Sequence, residues 1–341
     1  MDSLTLTDVV DDSEDMELAT DFPTAGAPRH DTVLLKESVE GLSIKQGDTV
    51  VDGTLGAAGH FALIADTLEG KGTIVGIDAD HASIERAEAK AASFAKGITV
   101  HLVEDNFRNL GDILDEQGIS CIDRALFDLG WNGFQLAAGR GFSFRADEPL
   151  LMTYGEPNET TKTAADLVNG LPEEELADLI YNYGEERFSR GIARSIVDTR
   201  KHTRILTTLQ LADAVTRGTP SWYQHRRLHP ATKTFQALRI ATNDELGALR
   251  DGLTCALERL TLGGRVAVIT FHSIEDRIVK SLFKEAAYAG RGTLVTRKPL
   301  VPSAAELSLN PRARSAKLRI FERCTGTDTC LATASPLSPH A

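Results

Sequence analysis

Two apolar runs that each end in an acid, joined by a glycine-rich turn and a helical stretch, constrain this chain more than anything else in it. The residues are Val50-Val51-Asp52-Gly53-Thr54-Leu55-Gly56-Ala57-Ala58-Gly59-His60, then Ile74-Val75-Gly76-Ile77-Asp78. They spell a β-α-β unit with a ligand-binding turn at the strand tips. Glycine lets the backbone pass close to a ligand with no Cβ in the way. Asp78, closing the second run, is placed to accept two hydrogen bonds from a ribose diol.

The spacing of the glycines narrows the ligand. A dinucleotide fingerprint reads G-x-G-x-x-G and seats a pyrophosphate on a helix N-terminus. Here Gly53, Gly56 and Gly59 read G-x-x-G-x-x-G, and Asp52 stands at the mouth, where a pyrophosphate would be repelled. An acid there suits a cationic ligand such as the amino group of S-adenosylmethionine. The plainer alternative is a glycine turn in an ordinary α/β protein.

At 341 residues the chain has length for one large domain or two. It shows no apolar run near the ~20 residues that span a bilayer and no basic-then-apolar leader. Cys121, Cys255, Cys324 and Cys330 lack C-x-x-C spacing, so free thiols in a reducing cytoplasm are expected and no metal site.

A formal charge of −12 sits badly with nucleic acid, but it is uneven. Residues 1–28 hold eight acids and no Lys or Arg; subtracting those eight from −12 leaves −4 for the rest. Such a segment reads as a disordered, solvated tail, or as an arm that screens a basic surface. Basic residues gather between Lys201 and Arg239, and again between Arg291 and Arg323 around Arg312 and Arg314. Each patch suits phosphate contacts or is simply a solvated face.

Short Val- and Ile-rich runs predict strands near 48–52, 73–78, 98–103, 123–129 and 264–271, the early ones in a parallel sheet with helical crossovers. Between the fourth and fifth, helices are expected over Thr163–Asn169, Pro172–Tyr183, Arg187–Arg200 and Thr208–Arg217, capped at Thr163 and at Thr207 or Thr208. The organisation expected is an acidic tail (1–28), a Rossmann-like part (29–135), a helical insertion for substrate recognition (136–230), the sheet resumed (231–323), and a second disordered tail (324–341).

Ala125-Leu126-Phe127-Asp128-Leu129-Gly130-Trp131-Asn132 is an apolar run ending in an acid, then a turn with an aromatic. Acceptors there can hold the N–H groups of an exocyclic amine and favour a pyramidal nitrogen, while the aromatic stacks on the base. Asp128 can equally be a cap or turn residue. Phe107, after the third strand, suits contact with an adenine ring or plain core packing. Arg140-Gly141-Phe142-Ser143-Phe144-Arg145 reads as an ordinary loop or as a phosphate-contacting one. His229 opens a stretch read as one helix through Leu246, with Phe235, Leu238 and Leu246 on one face and Lys233, Arg239 and Asn243 on another, a face for RNA or for water. His272, at a late strand tip, can orient substrate or act as a weak base; a cap at Ser273 is the alternative.

In this order the motifs are similar to those of the ribosomal RNA small subunit methyltransferase H family: His30-Asp31-Thr32-Val33-Leu34-Leu35, the Asp52–His60 turn, Gly76-Ile77-Asp78, Asn106-Phe107, Phe127-Asp128-Leu129-Gly130, Arg140 to Arg145, Tyr183-Gly184-Glu185-Glu186, His229 to Leu246, Phe271 to Lys280, and Asn310 to Arg319. The resemblance runs from His30 to Arg323. It implies a Rossmann-like class I S-adenosylmethionine-dependent methyltransferase sheet with an inserted helical domain, transferring methyl to N4 of a decoding-centre cytosine in 16S rRNA.

By that resemblance Asp52, Ala58, Gly59, His60, Asp78, Phe107, Asp128 and Gln135 hold the cofactor, and Asp128 with Asn132 orients the target amine. Arg140, Arg145, His229, Lys233, Arg239, His272, Arg312 and Arg314 face RNA. It also implies no metal, a small-subunit partner, a cytoplasmic setting and a monomer or homodimer. The chain departs from the family at Ala58 (Gly there, a change that a negative φ accommodates), at Gly130-Trp131-Asn132-Gly133, and at Pro149 to Tyr154. A methyltransferase for a small molecule or protein, or a non-catalytic RNA-binding assembly factor, are the rival readings.

Overall fold

The computed structural model describes residues 32–130, 136 and 138–324. Helix α1 (Leu35–Leu42) precedes a run of alternating elements: β1 (Thr49–Asp52), α2 (Gly59–Thr67), β2 (Gly72–Asp78), α3 (His81–Ala91), β3 (Ile98–Glu104), α4 (Leu110–Glu116) and β4 (Ile122–Asp128). Five helices follow, α5 (Ala164–Gly170), α6 (Glu173–Gly184), α7 (Ser189–Arg200), α8 (Thr208–Arg217) and α9 (Ser221–Gln224). Then come α10 (Thr232–Asn243), α11 (Glu245–Arg259), β5 (Leu260–Thr270), α12 (Ser273–Tyr288), β6 (Thr293–Leu294), α13 (Ala304–Leu309) and β7 (Lys317–Glu322).

The strands form one sheet in the order β3-β2-β1-β4-β5-β7-β6. β1 to β5 run parallel, and β7 is antiparallel to both β5 and β6. Neighbouring strand residues point to opposite faces, so each strand feeds two cores. Val51, Phe127, Val266 and Val268 join α4, α11 and α12 on one side; Val50, Leu126, Ala267 and Ile269 join α1, α2 and α3 on the other. Burial on both faces is why the strands read as continuous apolar runs. A third apolar cluster, from Leu150 through Val215 to Leu238, holds α5 to α8 against α10. Thr163 and Thr207 cap α5 and α8 in reciprocal capping boxes with Asp166 and Gln210.

Three expectations change. The five expected strands are joined by β6 and β7. β7 hides in a basic stretch because Arg319 is buried like its neighbours Leu318 and Ile320, its guanidinium held by Asp276 at 2.6 and 3.0 Å. The helix expected through Leu246 breaks at Asp244, which is left-handed (φ 47, ψ 46). The break sends Phe235 and Leu238 into the helical cluster and lets Leu246 pack against the sheet. Finally, Cys255 and Cys324 are free, but Cys121 is disulfide-bonded, against the expectation of thiols throughout. Among the described residues no helix is long and apolar enough to cross a membrane.

Candidate functional site

The sheet order reverses at β1. From β1 the chain builds outward through β2 to β3 on one side, then returns through β4 and β5 on the other. Loops leaving the carboxyl ends of adjacent strands diverge at such a point, which is where open α/β sheets take their ligands. Asp52 ends β1 opposite Leu126, and Asp128 ends the neighbouring β4 two residues further along.

The glycine turn is shaped by close approach. Gly53 N–H donates to the Leu126 carbonyl at 2.9 Å, and a Cβ on Gly53 would lie 2.6 Å from the Phe127 ring. A Cβ on Gly59 would lie 1.9 Å from Thr32 Oγ1. Ala58, the residue before α2, has φ 56 and ψ 34, so the negative φ that would accommodate a non-glycine is not what the turn adopts. The left-handed region costs an L-residue roughly 1–2 kcal/mol. Its buried methyl, packed against the sheet, offsets part of that.

Asp52 is buried, with Oδ1 accepting the Thr54 N–H at 3.2 Å and Oδ2 without a partner among the described residues. Burial, opposed only in part by that bond, pushes its carboxyl up to about 8. Asp128 accepts no hydrogen bond at Oδ1 among the described residues; Oδ2 stands 3.6 Å from His60 Nδ1. Its backbone N–H donates to Thr54 Oγ1 at 2.6 Å, which locks the β4 tip to the turn. Burial, then the charges of Asp52 and Glu275, hold the Asp128 carboxyl well above the usual range. Asp78 accepts the Gly56 N–H at 2.8 Å and the Asp80 N–H at 2.9 Å, and burial raises its pKa. A carboxylate has about four acceptor sites, so a diol can still be held there.

Phe107 is half-buried, edge-on to Phe127 at 5.4 Å and pressed against Gly252 of α11. It is anchored to the core while lying past the end of β3. Asn132 and Gln135 lie outside the described residues.

The basic residues separate sharply. Arg140 is buried, donating to the Tyr154 carbonyl at 2.5 Å and pairing with Asp80 at 3.4 Å; it ties its loop to the tip of β2 and is not a phosphate arm. Arg239 is also buried, bidentate on Glu245 at 2.8 and 2.8 Å, and is likewise withdrawn from RNA. His272 is buried too. It forms a capping box with Glu275, so the cap sits one residue before Ser273, and the ring faces Glu275 rather than solvent. Lys233 donates to the Glu185 carbonyl at 3.2 Å. His229 is exposed and stacks on Phe144 at 4.5 Å; what burial it has lowers its pKa. Arg145 and Arg314 are exposed and Arg312 half-exposed. The structure brings Arg145 and Arg312 together: burial and then the Arg145 charge lower the Arg312 pKa.

One polar network was not foreseen. Tyr154 OH donates to Glu245 Oε1 at 2.8 Å beside Arg239, and burial lifts the Tyr154 pKa well above its ordinary value. Burial alone would raise Glu275, but His272 and Arg239 hold it below the usual glutamate range. Glu245, His272 and Glu275 bring ligand atoms within 4.8 Å of one another, as a metal site would. Arg239 already neutralises Glu245, and the Phe271 and His272 N–H groups occupy Glu275 at 2.8 and 3.3 Å. The only legible signal for this network is the cap-to-N3 spacing of His272 and Glu275.

What remains open in the cleft is therefore acidic: Asp52 and Asp128 flank the switch point, each with a buried carboxyl oxygen that has no partner among the described residues. That fits a ligand carrying positive charge and N–H donors. The sequence profile of the MraW methylase family matches residues 27–324. The chain belongs to that family. Its relatives include the protein named ribosomal RNA small subunit methyltransferase H of Brevibacillus brevis, 44% identical over 310 residues, covering 86% of this chain and 98% of that one. Proteins of the same name from Deinococcus radiodurans (46% over 301 residues; 88% and 91% covered) and Deinococcus deserti (46% over 311; 90% and 98%) are equally similar. With the family established, the cleft at β1 and β4 is its candidate methyl-transfer site.

Proposed function

We propose that this methylase uses S-adenosylmethionine to methylate N4 of a cytosine in the 16S rRNA of the small ribosomal subunit, in the cytoplasm. The observation that carries this reading is the pair of orphaned, buried carboxylate oxygens at the switch point, in a chain whose family is a methylase family and whose relatives bear that rRNA name. When bound, the cofactor supplies a methyl on a sulfonium, already a good leaving group. Asp52 accepts its amino group, Asp78 its ribose hydroxyls, and Phe107 lies against its adenine. Gly53 and Gly59 keep the turn low enough for the ligand to enter.

Asp128 stands on the β4 side of the cleft. Its free Oδ1 accepts an N4–H of the unstacked cytosine, holding the nitrogen in line for attack. In its ionised form, the same raised basicity lets it take up the proton that the methylated nitrogen releases. His60 Nδ1 stands beside it, 3.6 Å from Oδ2. Asn132 is proposed as the second acceptor for the amine and Gln135 as a cofactor contact.

The test is transfer of tritiated methyl to small subunits, free RNA, protein and metabolites, with nucleoside mass spectrometry of the product. N4-methylcytidine in rRNA is expected from wild type and its loss from Asp128→Ala, with donor binding retained. Label in protein or metabolites, or donor binding with no transfer to any RNA, overturns the reading.

A further inference from the structure

Between α6 and α9 the helical region carries an aromatic platform: Phe188 and Tyr223 are rooted in the core, and Trp222 stands out from it. Trp222 is 57% exposed, an unusual fate for the largest apolar side chain in a short surface helix. Its ring stands edge-on to Phe188 and Tyr223, both 5.8 Å away. The Arg187 guanidinium lies over Phe188 at 4.8 Å and over Trp222 at 4.9 Å, and Arg226 lies over Tyr223 at 5.6 Å. The platform is fastened from below. Buried Glu186 accepts the Tyr223 OH at 2.6 Å and the Phe188 N–H at 2.8 Å, and Gln224 pins α9 to the Thr216 and Thr219 carbonyls.

Its place matters as much as its composition. Glu185, next in the chain to Glu186, accepts the Ser273 OH at 2.5 Å and an Arg277 N–H at 2.6 Å. Ser273 opens α12 immediately after β5, so the platform borders the edge of the molecule where the sheet's carboxyl ends and the orphaned carboxylates lie. Arg187, Arg226 and Arg227 are exposed around it.

We propose that Trp222 and Arg187 form a docking platform for single-stranded RNA, stacking a base that flanks the nucleotide held in the cleft. A rigid indole, a guanidinium on its rim and a cationic surround are what sequence-tolerant base stacking uses. The proposal rests on the rRNA reading above and adds to it a second, non-catalytic contact.

The experiment measures binding of a fluorescein-labelled single-stranded oligoribonucleotide and of purified small subunits by wild type, Trp222→Ala, Trp222→Phe and Arg187→Ala. Donor binding and thermal midpoint are followed as controls. Losing one stacked base weakens RNA binding by about tenfold, within the range of such substitutions. Trp222→Ala and Arg187→Ala are expected to lose RNA affinity by that order, with KM for small subunits rising in step and donor binding unchanged. Trp222→Phe is expected to restore most of it. RNA affinity within twofold of wild type in Trp222→Ala, while wild type methylates RNA, overturns the platform alone. Equal losses in Trp222→Phe and Trp222→Ala also overturn it, because stacking would then not be the cause. A wild type that neither binds nor methylates RNA overturns the rRNA reading and the platform with it.

Discussion

Asp52 should make donor binding depend on pH in a way few other residues here can. Its carboxyl is pushed up to about 8 because it is buried and one oxygen has no partner. Below that value the free protein holds it largely protonated, whereas a ligand ammonium needs it ionised. Binding must therefore expel a proton, and affinity falls about tenfold for each pH unit well below 8. From pH 8 to pH 6, with Asp52 and the ligand's ammonium each about half charged at pH 8, the loss is roughly 20-fold, or about 2 kcal/mol. Above 8 the ligand's own amino group, with an ordinary pKa of about 7.7–8.0, loses its charge, so affinity peaks near 8. Titration calorimetry of S-adenosylmethionine at pH 6, 7 and 8, in two buffers of different ionisation enthalpy, reads both quantities. Close to one proton should be released per ligand at pH 7. Asp52→Asn should bind about 10- to 100-fold more weakly at pH 8, as loss of a charge-assisted bond implies, and should lose the slope below it. Flat affinity from pH 6 to 8 without proton release, or an unchanged slope in Asp52→Asn, would refute the argument.

Gly59→Ala places a methyl 1.9 Å from Thr32 Oγ1 and should lose about 1–3 kcal/mol in urea denaturation; adding Thr32→Gly should recover most of it. Arg239→Ala leaves Glu245 buried without its guanidinium, so a stability loss of about 3–5 kcal/mol is expected, with RNA affinity of the folded protein unchanged; the reverse pattern would return Arg239 to the RNA surface. Arg145 and Arg312 lie close enough to feel one another's charge; neutralising either should lower the slope of log affinity against log salt by about one, and an unchanged slope would remove that residue from the interface. With a thiol reagent, exposed Cys324 should react well before Cys255, whose pKa is raised by burial; equal rates would contradict that.

The acids that build the cleft were legible because strand tips are. Val50-Val51-Asp52 and Leu126-Phe127-Asp128 show an apolar run halting at a carboxylate, and a buried parallel strand has few other reasons to stop there. Helix caps at Thr163 and Thr207 were legible for the same local reason. The cations were not. A buried arginine looks like a solvated one until its partner is known, and the partners are elsewhere: Asp80 for Arg140, and Asp276 for Arg319 across forty-three residues. Even Glu245, six residues from Arg239, meets it only because the chain turns left-handed at Asp244 between them.

That asymmetry bears on how a chain with a net charge of −12 can bind RNA. Arg140, Arg239 and Arg319 are consumed by internal carboxylates, so total basic content overstates the surface available to phosphate. Among the exposed or half-exposed cations two groups of arginines stand out, Arg145 with Arg312 and Arg314, and Arg187 with Arg226 and Arg227. Phosphate attraction is local, fading over a Debye length of about 8 Å at physiological salt, so distant acids weigh little against a nearby arginine cluster. Net charge is therefore a poor guide to RNA binding in this chain, and the position of its exposed arginines beside the cleft is the better one.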